Sequence, residues 1–178
     1  MEECNLDLKN CGTFAELKTQ AEKTAQTLVH ELKERSLTLV LSESCTAGLV
    51  SSFIAGVPGA SAVLWGSFVC YTPEAKVSML DIDMALISAH GAVSRETVTS
   101  MALGALQKSG ADIAAAVTGL AGPDGDGSNT PVGTVWIAAA QKGGTIKVNT
   151  HLFTDCREAV RIRSTIAVFK SIFDILSG

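Results

Sequence analysis

The sequence predicts an α/β fold built on a mostly parallel sheet covered by helices on both faces. Three observations carry that expectation. Apolar runs of strand length alternate with segments of helical periodicity along the chain. The run Asp112–Val117 is almost entirely apolar, as expected of a strand buried on both faces. Lys142-Gly143-Gly144 separates two late strands as a hairpin, so one of them must oppose the rest.

The elements follow in order. Thr13-Phe14-Ala15-Glu16 has the form of a capping box and opens a helix to about Arg35, with the apolar stripe Phe14, Leu17, Ala21, Ala25, Leu28 and Leu32. A strand over 38–42, a helix over 47–55 and the turn Val57-Pro58-Gly59 come next. A second strand runs from about Ala62 to Tyr71. Thr72-Pro73-Glu74 then reads as an N-cap with proline at the first helical position, which puts Lys76 in the opening turn of a short helix.

Helices over 83–89 and 95–109 follow, the second capped by Ser94, and lead into the third strand, 112–117. The loop from Gly119 to Pro131 holds four glycines and two prolines, and long loops of this kind are uncommon without a function. Strands over 132–141 and 145–154 form the hairpin. A helix from Asp155, boxed by Glu158, closes the chain with the stripe Ala159, Ile162, Ile166, Phe169, Phe173 and Leu176.

If the first three strands are parallel, the 132–141 strand is antiparallel and the 145–154 strand parallel again. Strands one, two, three and five then end on one edge of the sheet. Those ends deliver Ser44, Tyr71 with Lys76, Thr118 with its glycine loop, and Asp155 with Arg157 and Arg161. Ligands in open α/β sheets bind at the carboxyl edge.

Composition narrows the classes of function. The 178 residues are read as a single domain over 1–178, with 1–12 a flexible N-terminal tail. With 47% apolar and 18% charged residues, the chain can build a generous core. A net charge of -4 without a dense Lys/Arg cluster gives no nucleic-acid footprint. No apolar stretch reaches the ~20 residues of a membrane span, and the acidic N-terminus lacks a signal core, so the expected location is cytoplasmic. Five cysteines, an odd count with no Cys-x-x-Cys pair, fit reduced thiols better than a disulfide framework or a zinc site.

The chemistry concentrates where strand one ends. Ser44, Cys45 and Thr46 pass straight into a helix, which sets nucleophiles beside the free N–H groups of a helix N-terminus. The alternative is that Ser44 or Thr46 simply caps that helix. Of the three histidines, His30, His90 and His151, only His90 is a weak candidate for the loaded edge. Lysine can replace histidine as base when burial depresses its pKa, and Lys76 lies among Ala75, Val77, Met79 and Leu80.

Tyr71, the only tyrosine, precedes Lys76 by five residues and could relay a proton, unless it is a core residue and Lys76 a solvated one. Cys45 is the rival nucleophile. Small residues in Thr118-Gly119-Leu120-Ala121-Gly122-Pro123 let backbone N–H groups approach a ligand, although no Walker motif follows. Arg157 and Arg161 are one turn apart and Arg163 lies on the other flank, so at most two of the three reach one anion.

Six motifs stand in order along the chain. They are Glu43-Ser-Cys-Thr-Ala-Gly48, Tyr71-Thr-Pro-Glu-Ala-Lys76, His90-Gly-Ala-Val-Ser94, Thr118-Gly-Leu-Ala-Gly-Pro123, Pro131-Val-Gly-Thr134 and Arg157-Glu-Ala-Val-Arg161. Together they resemble the C-terminal domain of the competence/damage-inducible protein CinA, the nicotinamide mononucleotide deamidase family, over about residues 14–177.

The resemblance implies a three-layer α/β/α sandwich with a mixed, mostly parallel sheet of about five strands. It implies hydrolysis of nicotinamide mononucleotide to nicotinic acid mononucleotide and ammonia by a serine–lysine mechanism, without metal or cofactor. Ser44 would be the nucleophile, Lys76 its base and Tyr71 an assisting hydroxyl. N–H groups around Cys45 and Thr46, with Gly48 beside them, would stabilise the oxyanion. Thr118, Gly119 and Gly122 of the loop, with Arg157 and Arg161, would hold the nucleotide.

The implied partners are the nucleotide substrate and a second copy of the chain in a homodimer or higher homo-oligomer, with no nucleic acid and no membrane. Two positions depart from the family pattern: Ala47 stands where glycine is usual, and Thr72-Pro73 where Ser-Asn is common. Larger CinA proteins carry a further N-terminal domain, so a stand-alone deamidase is expected here. The competing expectation is a non-catalytic nucleotide-binding or interaction module of the same fold. It would keep the glycine loop and arginines but have no use for a depressed lysine pKa.

Overall fold

The computed structural model describes residues 14–177. Thr13 and the expected tail over 1–12 lie outside them. Five strands form one sheet in the order β2-β1-β3-β4-β5. They are β1 (Leu39–Glu43), β2 (Leu64–Val69), β3 (Ile113–Gly119), β4 (Thr134–Gln141) and β5 (Ile146–Leu152). The helices are α1 (Phe14–Glu34), α2 (Leu49–Ala55), α3 (Pro73–Leu80), α4 (Met84–His90), α5 (Arg95–Ser109) and α6 (Arg157–Leu176).

β1 pairs in parallel with β2 and β3, whereas β3–β4 and β4–β5 are antiparallel. Four strands therefore point one way, as the hairpin argument requires. "Mostly parallel" holds of direction but not of pairing, which is evenly divided.

Alternation along β3 divides the core into two layers. Ile113, Ala115 and Val117 join the cluster under α1, α2 and α6, with Leu28, Leu32, Ile54, Phe169 and Ile172. Ala114 and Ala116 face α5, where Val98, Met101, Ala102 and Ala105 pack. The result is a three-layer α/β/α sandwich. Small side chains on the α5 face let elements approach closely. At Gly104, on α5, a Cβ would stand 2.5 Å from the carbonyl oxygen of Leu80, the last residue of α3.

Three local expectations need correction. α2 begins at Leu49, not at residue 47, because Ala47 and Gly48 both take positive φ (51° and 89°) and make a turn of residues 44–48. α6 begins at Arg157 with Cys156 as its N-cap. Asp155 does not start the helix; its carboxylate pairs with Arg163 Nε at 2.7 Å. α6 is also buried well beyond the predicted stripe, at Val160, Ser164, Thr165, Val168 and Ile172, since it packs on both the sheet and α1.

The cysteines divide as well. Cys45 and Cys70 are free thiols, but Cys156 is disulfide-bonded. An odd count leaves room for one such pair. Among the described residues, no helix is long and apolar enough to cross a membrane, and no group of three or more His, Cys, Asp or Glu side chains could hold a metal ion.

Candidate active site

A cavity of about 300 Å³ opens at the carboxyl edge of the sheet. Its wall carries Ser44 and Cys45 from the end of β1, Tyr71 and Lys76 from the exit of β2, Thr118, Gly119 and Gly122 from β3 and its loop, and Arg157 from α6. Strand ends that are far apart in sequence thus meet in one cleft, as the topology predicted.

Lys76 is the most telling side chain of the group. Thr72 caps α3 by accepting from the Ala75 N–H, and Pro73 occupies the first turn, where its missing N–H costs nothing. This cap seats Lys76 in the first turn of α3 with its amine turned inward. The residue is only 1% exposed. Its Nζ lies 2.9 Å from Ser44 Oγ and donates to the Cys70 carbonyl at 3.0 Å. No carboxylate is hydrogen-bonded to it among the described residues, and burial holds its pKa below the ordinary 10.5, against smaller opposing contributions from the two nearby thiols.

The turn that carries Ser44 is held from several sides. The Ser44 N–H extends the ladder by donating to Val117 C=O. The Glu43 carboxylate, wholly buried, accepts from Thr46 Oγ1, Ser67 Oγ and the N–H groups of Val50 and Ser51. Those two amides belong to the first turn of α2. The helix N-terminus expected to face a ligand is therefore already occupied by a side chain of the protein. Neither Ser44 nor Thr46 caps it; the capping residue is Gly48, which has no side chain, and Glu43 supplies the acceptor.

Cys45 lines the cavity, but burial raises its thiol to about 11. A thiol in that state is a poor nucleophile at neutral pH. Tyr71 is half exposed (51%) rather than a core residue, and its hydroxyl accepts from Arg157 Nη2 at 2.9 Å. Arg157 also donates through Nη1 to Gly122 C=O at 2.8 Å, tying the glycine loop to α6. Thr118 Oγ1 donates to Ala92 C=O.

Thr46, Gly48 and Arg161 are not on the cavity wall. Thr46 is buried behind it, and Arg161 Nη2 donates to Thr46 C=O at 2.7 Å. Of the three arginines on α6, Arg157 alone lines the cavity; Arg163 is committed to Asp155. His90 faces Glu96 in an exposed pair, His30 pairs with Glu34 on α1, and His151 stacks on Phe153, so none of them joins Ser44.

Sequence reasoning missed Glu43 in its holding role, and missed Ala92, Val93, Asp124 and Asp126 on the cavity wall. A glutamate closing a strand that opens with the apolar run Leu39-Val40-Leu41 was the available signal for Glu43.

These features define an α/β/α protein with a buried serine–lysine pair in a polar cleft at the sheet's carboxyl edge. The profile of the CinA C-terminal domain matches residues 21–176, and the chain belongs to that family. It is 38% identical over 161 residues to the nicotinamide-nucleotide amidohydrolase PncC of Escherichia coli K12, covering 90% of this chain and 95% of that one. It is 43% identical over 143 residues to a CinA-like protein of Geobacter sulfurreducens, covering 80% of this chain and 34% of that one.

The chain spans about a third to two-fifths of the length of the first curated relatives it matches, 34% and 39%. Among solved structures, the competence/damage inducible protein CihA of Agrobacterium tumefaciens superposes with a TM-score of 0.85. It shares 33% sequence identity, over 88% of this chain and 96% of that one.

Proposed function

We propose that this chain is an amidohydrolase that converts nicotinamide mononucleotide to nicotinic acid mononucleotide and ammonia, with Ser44 as nucleophile and Lys76 as base. The observation that carries the reading is the Lys76 amine, buried, lowered in pKa and 2.9 Å from Ser44 Oγ. The relative of matching length, named an amidohydrolase of this nucleotide, supports the substrate.

The neutral amine accepts the Ser44 hydroxyl proton as Oγ attacks the carboxamide carbon. The carbonyl oxygen becomes an oxyanion, with the N–H of Cys45, on the cavity wall, as its proposed donor, since Thr46 lies behind the wall and the N–H groups of Val50 and Ser51 are taken by Glu43. Collapse breaks the carbon–nitrogen bond as the Lys76 ammonium gives its proton to the amide nitrogen, which leaves as ammonia. Water then attacks the Ser44 ester with Lys76 again as base, which frees the acid and restores the hydroxyl.

Tyr71 assists at the leaving group, oriented by Arg157. The Thr118–Gly122 loop and Arg157 hold the nucleotide. Arg161 acts behind the wall, on Thr46.

A module that only senses nucleotide gains nothing from an amine desolvated beside a serine hydroxyl, so the geometry favours the enzyme. In this reading the protein works as a homodimer in the cytoplasm, and the uncharged outer edge of β2, where Trp65 is 52% exposed, offers the pairing surface. A monomeric mass in sedimentation would remove the dimer. Incubation with nicotinamide mononucleotide should yield ammonia and nicotinic acid mononucleotide in equal amounts. Binding of the nucleotide without either product would transfer the reading to the sensor.

A further inference from the structure

The Glu43 carboxylate takes no part in the chemistry above, yet it is the most heavily engaged side chain around the cavity. Oε1 accepts from Ser51 N–H at 2.9 Å and Ser67 Oγ at 3.2 Å. Oε2 accepts from Thr46 Oγ1 at 2.8 Å and Val50 N–H at 3.1 Å. We propose that Glu43 is the positioning residue of the nucleophile turn: by joining the end of β1 to Thr46, the start of α2 and the edge strand β2, it holds Ser44 Oγ against Lys76. The inference rests on reading Ser44 as the nucleophile.

The turn itself explains why an external tie is required. Within five residues the chain leaves a strand, passes through two consecutive residues of positive φ, Ala47 and Gly48, and enters a helix whose capping residue has no side chain. Alanine in the left-handed region costs roughly 1 kcal/mol or more, so the turn is not favoured by its own residues. It persists because the carboxylate spans it, bonding Thr46 inside the turn and Val50 and Ser51 beyond it. The Arg161 bond to Thr46 C=O braces it from the opposite side.

Only a carboxyl group of this length suits this position. Four donors converge, two on each oxygen, and two of them are backbone N–H groups that cannot reverse their polarity. Glutamine offers one oxygen, and its amide nitrogen would meet either the Val50 or the Ser51 N–H, leaving a buried donor unpaired. Aspartate is one methylene too short to hold both helix amides and the Ser67 hydroxyl together. A negative charge at the start of a helix is also favoured by the helix dipole.

The test separates positioning from folding and from substrate choice. Ser44 is labelled with a small fluorophosphonate, which needs a poised serine hydroxyl but no nucleotide recognition, and steady-state ammonia release is measured in parallel. Glu43→Gln should slow labelling and lower kcat by about 10- to 100-fold, the scale set by misplacing a reacting atom by about 1 Å. KM should hold within about threefold, because the proposed nucleotide contacts lie on the glycine loop and Arg157.

Thr46→Val, which deletes one Oε2 donor and leaves the carboxylate in place, should shift both rates the same way by about three- to tenfold. If Glu43→Gln loses its cooperative melt, Thr46→Val carries the test alone. A folded variant labelled at the wild-type rate overturns the proposal, as does a wild type that cannot be labelled at all. A wild type that labels but releases no ammonia sinks the amidase reading instead, while the labelling ratio still judges Glu43.

Discussion

Lys76 Nζ lies 2.9 Å from Ser44 Oγ, although Lys76 comes from the first turn of α3 and Ser44 from the end of β1. Burial is the main cause of the lysine's lowered pKa, so the pair consists of a hydroxyl and an amine that sheds its proton below 10.5. The pH dependence follows from that direction. kcat/KM should rise as pH increases through the depressed value and level off before the ordinary lysine pKa is reached. Lys76→Arg, whose guanidinium cannot act as a base, should lose about 10²- to 10⁴-fold at every pH. A profile that continues to rise through 10.5 would remove Lys76 as the base.

The same shift has a stability consequence with a definite sign. Between the folded and unfolded pKa of Lys76, the unfolded chain binds more protons, so stability grows with pH across that window. Compared with Lys76→Met, wild type should gain unfolding free energy as pH rises from the depressed value to about 10.5, and the gain should then stop. Denaturant midpoints of the two proteins across that range check it. A constant difference would mean that the amine is not desolvated.

Cys45 stands beside the proposed nucleophile with its thiol raised to about 11, chiefly by burial. Cys45→Ala should retain turnover, and Cys45 in the native protein should react slowly with iodoacetamide at neutral pH, because little thiolate is present. Loss of activity in Cys45→Ala, with Ser44→Ala tolerated, would reassign the nucleophile.

Gly104 connects packing to the site. A methyl group there would come 2.5 Å from Leu80 C=O, a backbone atom that moves only with α3. Gly104→Ala should therefore cost about 1–3 kcal/mol in stability, as overpacked cores do. It should also lower kcat, since α3 carries Lys76. Thermal melts together with ammonia release check both; lost stability with full activity would show that the displacement is absorbed elsewhere.

The division of the fold into strands and helices was readable from the sequence because the first and last helices carry clear apolar stripes, β3 is a continuous apolar run, and α3, α4 and α5 each have a side-chain cap. Thr72 and Ser94 cap their helices by accepting from Ala75 and Thr97 N–H, as their positions predicted. The convergence of Ser44, Tyr71, Lys76, Thr118, Gly122 and Arg157 followed from strand direction alone, which fixes the edge on which each strand ends.

What escaped depends on side-chain direction within irregular backbone. Periodicity does not report positive φ at Ala47, so α2 was started two residues early and its N–H groups were assigned to a ligand instead of to Glu43. Helical spacing put Arg157 and Arg161 on one face, but only the path of the 44–48 turn decides that Arg161 meets Thr46 C=O behind the wall. Asp124 and Asp126 reach the cavity through a long loop whose course no local pattern specifies.

The most direct test of the central claim is product formation from nicotinamide mononucleotide by wild type and Ser44→Ala side by side, following ammonia and nicotinic acid mononucleotide together. Both products from wild type and neither from the folded variant is the predicted result. Undiminished product from Ser44→Ala would contradict the serine–lysine assignment, and no product from wild type would contradict the reaction itself.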